Sequence, residues 1–137
     1  MNISGIIETC LYAENLDEVR DFYTLLPGLK LVAEEEGRHL FFSCGSQMLL
    51  IFNPAHTSIE QTDVDGQIVP LHGSRGAAHI AFSIKKEDLR KWREFFNENH
   101  IPIESEVTWP NGIVSLYFRD PAGNSLEVVS PDLWAKV

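Results

Sequence analysis

Three ionisable side chains, Glu8, His79 and Glu127, fall inside apolar stretches that read as strands. Side chains alternate between the two faces of a strand. In residues 3–13, Glu8 shares a face with Ile6, Cys10 and Tyr12. In residues 77–84, His79 shares one with Ala77 and Ala81, while Ile80, Phe82 and Ile84 face away. In residues 125–129, Glu127 goes with Ser125 and Val129, against Leu126 and Val128. A charge buried in a strand interior is costly unless it is paired. A metal, a ligand or a mutual hydrogen bond would offset that cost, and all three side chains can ligate a metal. The plainer alternatives are a core histidine bonded to Glu127 or to a backbone carbonyl, and a strand-end Glu8 paired to arginine or solvent.

The elements that must position these groups repeat. Residues 3–13 read as a strand. Asn15 can cap the helix that follows, with Glu18 three residues on, and Leu16, Val19, Phe22, Tyr23 and Leu26 form one apolar stripe. Pro27-Gly28 stops that helix. Strands are expected over 29–35, 39–43 and 47–53. The second half repeats the order: strand 77–84, helix 87–99, strands 101–109, 113–119 and 125–129. Asn111-Gly112 predicts a type I′ hairpin turn, which needs positive φ at both positions. The expectation is one α+β domain over 1–137. Its paired βαβββ modules, 3–53 and 77–129, would form a curled, cupped mixed sheet with helices on the outer face. Residues 54–76 read as a polar linker or as a lid over a pocket, and 130–137 as a C-terminal tail.

Overlaying the halves makes Glu8 equivalent to His79 and Leu49 equivalent to Glu127. Four positions, Glu8, Leu49, His79 and Glu127, would then converge in the cup. Leu49 alone cannot ligate.

The net charge of -9 makes nucleic acid and anionic membranes poor partners. No apolar run is long enough to span a bilayer. No basic segment followed by an apolar run opens the sequence, so no signal peptide is expected and the cytoplasm is the expected compartment. Cys10 and Cys44 form no CxxC and read as two buried, reduced thiols.

Asn15-Leu16-Asp17 with Phe22-Tyr23, Ala78-His79-Ile80-Ala81-Phe82, and the run from Tyr117 to Glu127 (YFRDPAGNSLE) carry a family resemblance. The chain resembles the vicinal oxygen chelate superfamily of glyoxalase I, extradiol dioxygenases, fosfomycin-resistance transferases and bleomycin-resistance proteins. The resemblance implies a cup holding a divalent metal (Mn, Fe, Ni, Zn or Mg) on His79, Glu127 and, in place of the usual histidine, Glu8. It implies a metal-dependent lyase, isomerase, dioxygenase or transferase acting on a small polar molecule, with Glu127 or Glu8 serving as the base. Leu49 argues against a full glyoxalase I site within one chain. The alternative is a metal-free, drug- or metabolite-binding protein of the bleomycin-resistance type. Tyr117 and Arg119 would line the cup and hold an anionic substrate, or form a surface edge pair. Tyr12 and Trp109 would be pocket walls or aromatic core. His72 would reach the pocket or remain a loop histidine. Asp120 serves its turn. The resemblance also implies a homodimer.

Overall fold

The computed structural model describes residues 1–135, so Lys136 and Val137 of the expected tail lie outside the described residues. The chain divides into two compact units, the first running to Gly76 and the second starting at Ala77.

The first unit contains β1 (Glu8–Tyr12), α1 (Leu16–Leu25), β2 (Leu29–Glu35), β3 (His39–Cys44) and β4 (Gln47–Phe52), with sheet order β1-β4-β3-β2. β1 runs parallel to β4 and the other pairings are antiparallel. The second unit contains β7 (His79–Ser83), α3 (Leu89–Glu98), β8 (Ser105–Thr108), β9 (Val114–Arg119) and β10 (Ser125–Val129), in the order β7-β10-β9-β8. Here β7 is parallel to β10. The two halves therefore share one βαβββ plan, each with an open, curled mixed sheet.

Each helix covers one sheet face through aromatic contact. The fully buried Tyr23 ring of α1 lies 5.8 Å from that of Phe42. Phe96 of α3 lies 4.6 Å from Phe118, and both are fully buried. Such ring pairs contribute about 0.5–1.5 kcal/mol beyond their area burial. Asn15 caps α1 as its sequence position predicts, its side-chain oxygen accepting from the Glu18 N–H. α3 is entered through a 3-10 turn, Lys86–Asp88, and so starts two residues later than the expected residue 87. β1 is shorter than the apolar run 3–13, because its partner β4 begins only at Gln47 and leaves Ile3 and Ile6 without a ladder. Cys10 is exposed rather than buried, and both thiols are free.

The segment 54–76 is not a plain linker. It forms α2 (Pro54–Thr57) and a hairpin of β5 (Thr62–Val64) with β6 (Gln67–Val69). The hairpin loop is Asp65-Gly66, with φ of 51° and 80°. The paired positive φ of a type I′ turn therefore occurs here, and not at Asn111-Gly112 as expected, where only Gly112 is positive (φ 76°). Pro110 explains the difference. Its fixed φ suits the first central position of an ordinary turn, which the Gly112 N–H closes on the Trp109 carbonyl at 2.8 Å.

No helix among the described residues is long and apolar enough to cross a membrane.

Candidate metal centre

Pairing in the second unit aligns the helix-free face of its sheet. His79 is in register with Ser125, and Ser125 with Arg119. One row on, Ala81, Glu127, Tyr117 and Ser105 are in register. His79 and Glu127 are thus diagonal neighbours on one face, as alternation predicts. Glu127 is only 4% exposed, although it carries a carboxylate. Its Oε2 lies 3.4 Å from His79 Nε2. Its Oε1 is buried with no hydrogen-bond partner among the described residues.

The state of the imidazole follows from its other nitrogen. Nδ1 lies 3.0 Å from the Ser125 carbonyl oxygen. A carbonyl only accepts, so Nδ1 carries the proton and donates it. In the neutral ring Nε2 is then a lone pair, and it faces an acceptor-only carboxylate oxygen. A proton shared between Nε2 and the carboxylate, or a cation beside them, makes that contact favourable. An imidazole held through Nδ1–H to a backbone carbonyl is the usual posture of a metal-ligating histidine.

Tyr117 stands beside the pair. Its ring centroid is 6.1 Å from that of His79. Burial first, and then the negative charge of Glu127, push its phenol above the ordinary value. Trp109 donates its indole N–H to Ser115 Oγ at 2.8 Å, so that donor is already engaged. Arg119 does not fit the role of substrate anchor. Its guanidinium is committed to both Glu104 oxygens and to the Gly123 carbonyl. Paired in this way, Arg119 holds the Glu104 carboxyl below its usual range.

Glu8 belongs to the first unit, exposed at the start of β1. Within either unit, no third His, Cys, Asp or Glu joins a ligand cluster among the described residues. Glu8 shares its face with Cys10 and Tyr12 and is in register with Met48. Leu49 is therefore not on that face. It pairs with Thr9 and Phe42 on the side facing α1, and is 1% exposed. The overlay of the halves was one residue out. Because β1 and β4 pair as β7 and β10 do, the first-unit counterpart of Glu127 is Leu50, and a one-residue slip exchanges the two faces.

The same face of the first unit carries rings that the sequence reading left out. His39 stacks on Phe41 at 4.2 Å and meets Phe52 edge-on at 5.9 Å. Burial pushes the His39 imidazole below its ordinary value. His72 returns from the long connection to this face. Its ring is 4.6 Å from that of Phe52, and its Nδ1 meets the Tyr12 hydroxyl at 3.0 Å. The signal available in the sequence was the alternation of His39 and Phe41 in β3.

The model of the glyoxalase/bleomycin resistance protein/dioxygenase superfamily matches residues 5–128. The chain belongs to this superfamily. A crystal structure of lactoylglutathione lyase from Agrobacterium tumefaciens is 42% identical with a TM-score of 0.88, covering 97% of this chain and 98% of that one. The metallothiol transferase FosB of Staphylococcus epidermidis is 38% identical over 58 residues, 40% of this chain and 39% of FosB. The Bacillus subtilis protein MhqE, a candidate ring-cleaving dioxygenase, is 35% identical over 54 residues, 39% of this chain and 18% of MhqE. The chain thus spans well under half the length of the two curated relatives it matches.

The donors of this superfamily member fit a divalent cation. His79 offers an oriented nitrogen lone pair, and Glu127 offers a buried carboxylate with an unsatisfied oxygen. One imidazole with carboxylate oxygen suits Mn²⁺, Fe²⁺, Ni²⁺, Zn²⁺ or Mg²⁺.

Proposed function

We propose that this chain is a divalent-metal-dependent enzyme of the glyoxalase type, acting as a lyase or isomerase on a small polar molecule. The observation that carries the reading is the partnerless buried Oε1 of Glu127 beside the lone pair of His79. A buried carboxylate with an unsatisfied oxygen destabilises a fold, and a bound cation reverses that penalty. His79 and Glu127 would hold the metal. When bound, it supplies Lewis acidity to a substrate held through adjacent oxygens. The chain's own groups do the rest. His79 is held in one tautomer by Ser125. Glu127 accepts a proton from the substrate, which requires hydrogen-bond reach to that proton. Tyr117 stands as a wall beside Glu127 and His79. The near-full-length likeness to a lactoylglutathione lyase favours lyase chemistry over dioxygenase or transferase chemistry, for which the likeness covers only part of the chain. Leu50, the first-unit counterpart of Glu127, cannot ligate.

The homodimer belongs to the same reading. Ile3, Ile6 and Ile7, 95%, 70% and 77% exposed beside the sheet-edge strand β1, support it.

The test is metal analysis of protein prepared without chelator. It should give about one metal per chain, lost in His79→Ala. Equal metal content in wild type and His79→Ala sinks the reading. A metal-free binder is the second reading, favoured by the aromatic face around His39, Phe41 and Phe52 and by the net charge of -9, which suits a cationic ligand. Tight binding of a bulky aromatic cation by metal-free protein would select it.

A further inference from the structure

The turn between β9 and β10 is built around two buried polar side chains. Asp120 is 4% exposed and Asn124 is 1% exposed. Asp120 Oδ1 accepts from the Asn124 backbone N–H, and Oδ2 from the Asn124 side-chain amide, both at 2.8 Å. That double hold orients the Asn124 side chain. Its remaining oxygen accepts from the Ala78 N–H at 2.9 Å. The Ala78 carbonyl in turn accepts from the Ser125 N–H at 2.8 Å. Ala78 precedes His79, and the Ser125 carbonyl is what His79 Nδ1–H meets.

We infer that the Asp120–Asn124 pair is a positioning device for the His79–Glu127 pair. This rests on the metal centre proposed above. Through Asn124 the turn fixes the start of β7 against β10. The Ser125 carbonyl is thereby presented to Nδ1, and the lone pair of Nε2 is aimed at Glu127. Asp120 and Asn124 would act through the strands that carry His79 and Glu127. A turn needs only one of these hydrogen bonds, whereas here a buried amide uses both of its ends to tie two strands at the level of the imidazole.

The experiment is a Mn²⁺ titration of full-length, metal-free wild type, Asn124→Ala, His79→Ala and Ser130→Ala. It is run beside nitrogen-15 spectra of the metal-free His79 ring. Ser130, a buried capping residue later in the same unit, controls for general loosening. Loss of an outer partner of a ligating histidine weakens metal binding about 10- to 100-fold. Asn124→Ala should show that loss, and its His79 should change from one tautomer to a mixture, while Ser130→Ala does neither. Affinity and tautomer like wild type in Asn124→Ala overturn the inference. If wild type and His79→Ala take up Mn²⁺ alike, the metal centre falls and the tautomer alone decides. A mixture then supports the device, and a single tautomer refutes it. Should Asn124→Ala lose its cooperative melting transition, Asp120→Asn replaces it. That variant keeps the Oδ1 acceptor, removes the other, and is judged by the same readings.

Discussion

Glu127 Oε2 faces His79 Nε2 at 3.4 Å, while the other oxygen of the same carboxylate is buried without a partner. With the ring neutral, the contact puts two acceptors against each other, because Nδ1–H is donated to the Ser125 carbonyl. Such an arrangement destabilises the fold and is suited to holding a cation. Glu127→Gln should therefore raise the stability of the metal-free protein by about 1 kcal/mol, since the amide removes the buried charge and can donate to Nε2. It should abolish metal uptake. Chemical denaturation with metal analysis checks both, and a destabilised variant that still takes up metal would contradict the picture.

Tyr12 and His72 meet at 3.0 Å across 60 positions of sequence. Tyr12→Phe keeps the ring but deletes this bond. It should cost about 0.5–1.5 kcal/mol, the usual net worth of one hydrogen bond. Limited proteolysis should then cut faster within 54–76. Cutting rates equal to wild type would show that the bond does not hold the segment.

His39 gives a pH signature. Burial lowers its pKa in the folded state from the ordinary 6.5, against a smaller opposing effect of Glu35. The unfolded chain then binds the proton more readily than the folded one. The contribution of His39 is fully present above pH 6.5 and is lost as pH falls from there through the folded value. Midpoints of urea unfolding measured across that window should fall less in His39→Phe, which keeps a ring on Phe41.

Leu49 tests the corrected register. Its side chain is 1% exposed on the α1 side of the sheet, so Leu49→Ala should cost about 2–5 kcal/mol. Metal affinity of the folded variant should match wild type. A selective loss of metal affinity with little change in stability would return Leu49 to the site face.

What the amino-acid order determined by itself was local. The Asn15 cap, the stop at Pro27-Gly28 and the shared face of Ser125 and Glu127 depend on neighbours within a few residues, where periodicity and dihedral preference act directly. The same alternation put His79 and Glu127 on the helix-free face before any pairing was known. Turn type was harder even at short range. Pro110 overrode Asn111-Gly112, and Asp65-Gly66 made a hairpin inside a stretch that composition marks as linker. The remainder required non-local hydrogen bonding. Whether Leu49 or Leu50 stands in place of Glu127 depends on how β1 pairs with β4, about 40 residues away, and with period-two alternation a single step reverses the face. His72 reaches Tyr12, Arg119 is taken up by Glu104, and Asn124 holds Ala78 only once the strands are laid side by side. Those partners are chosen by register and packing, which no local stretch of sequence encodes alone.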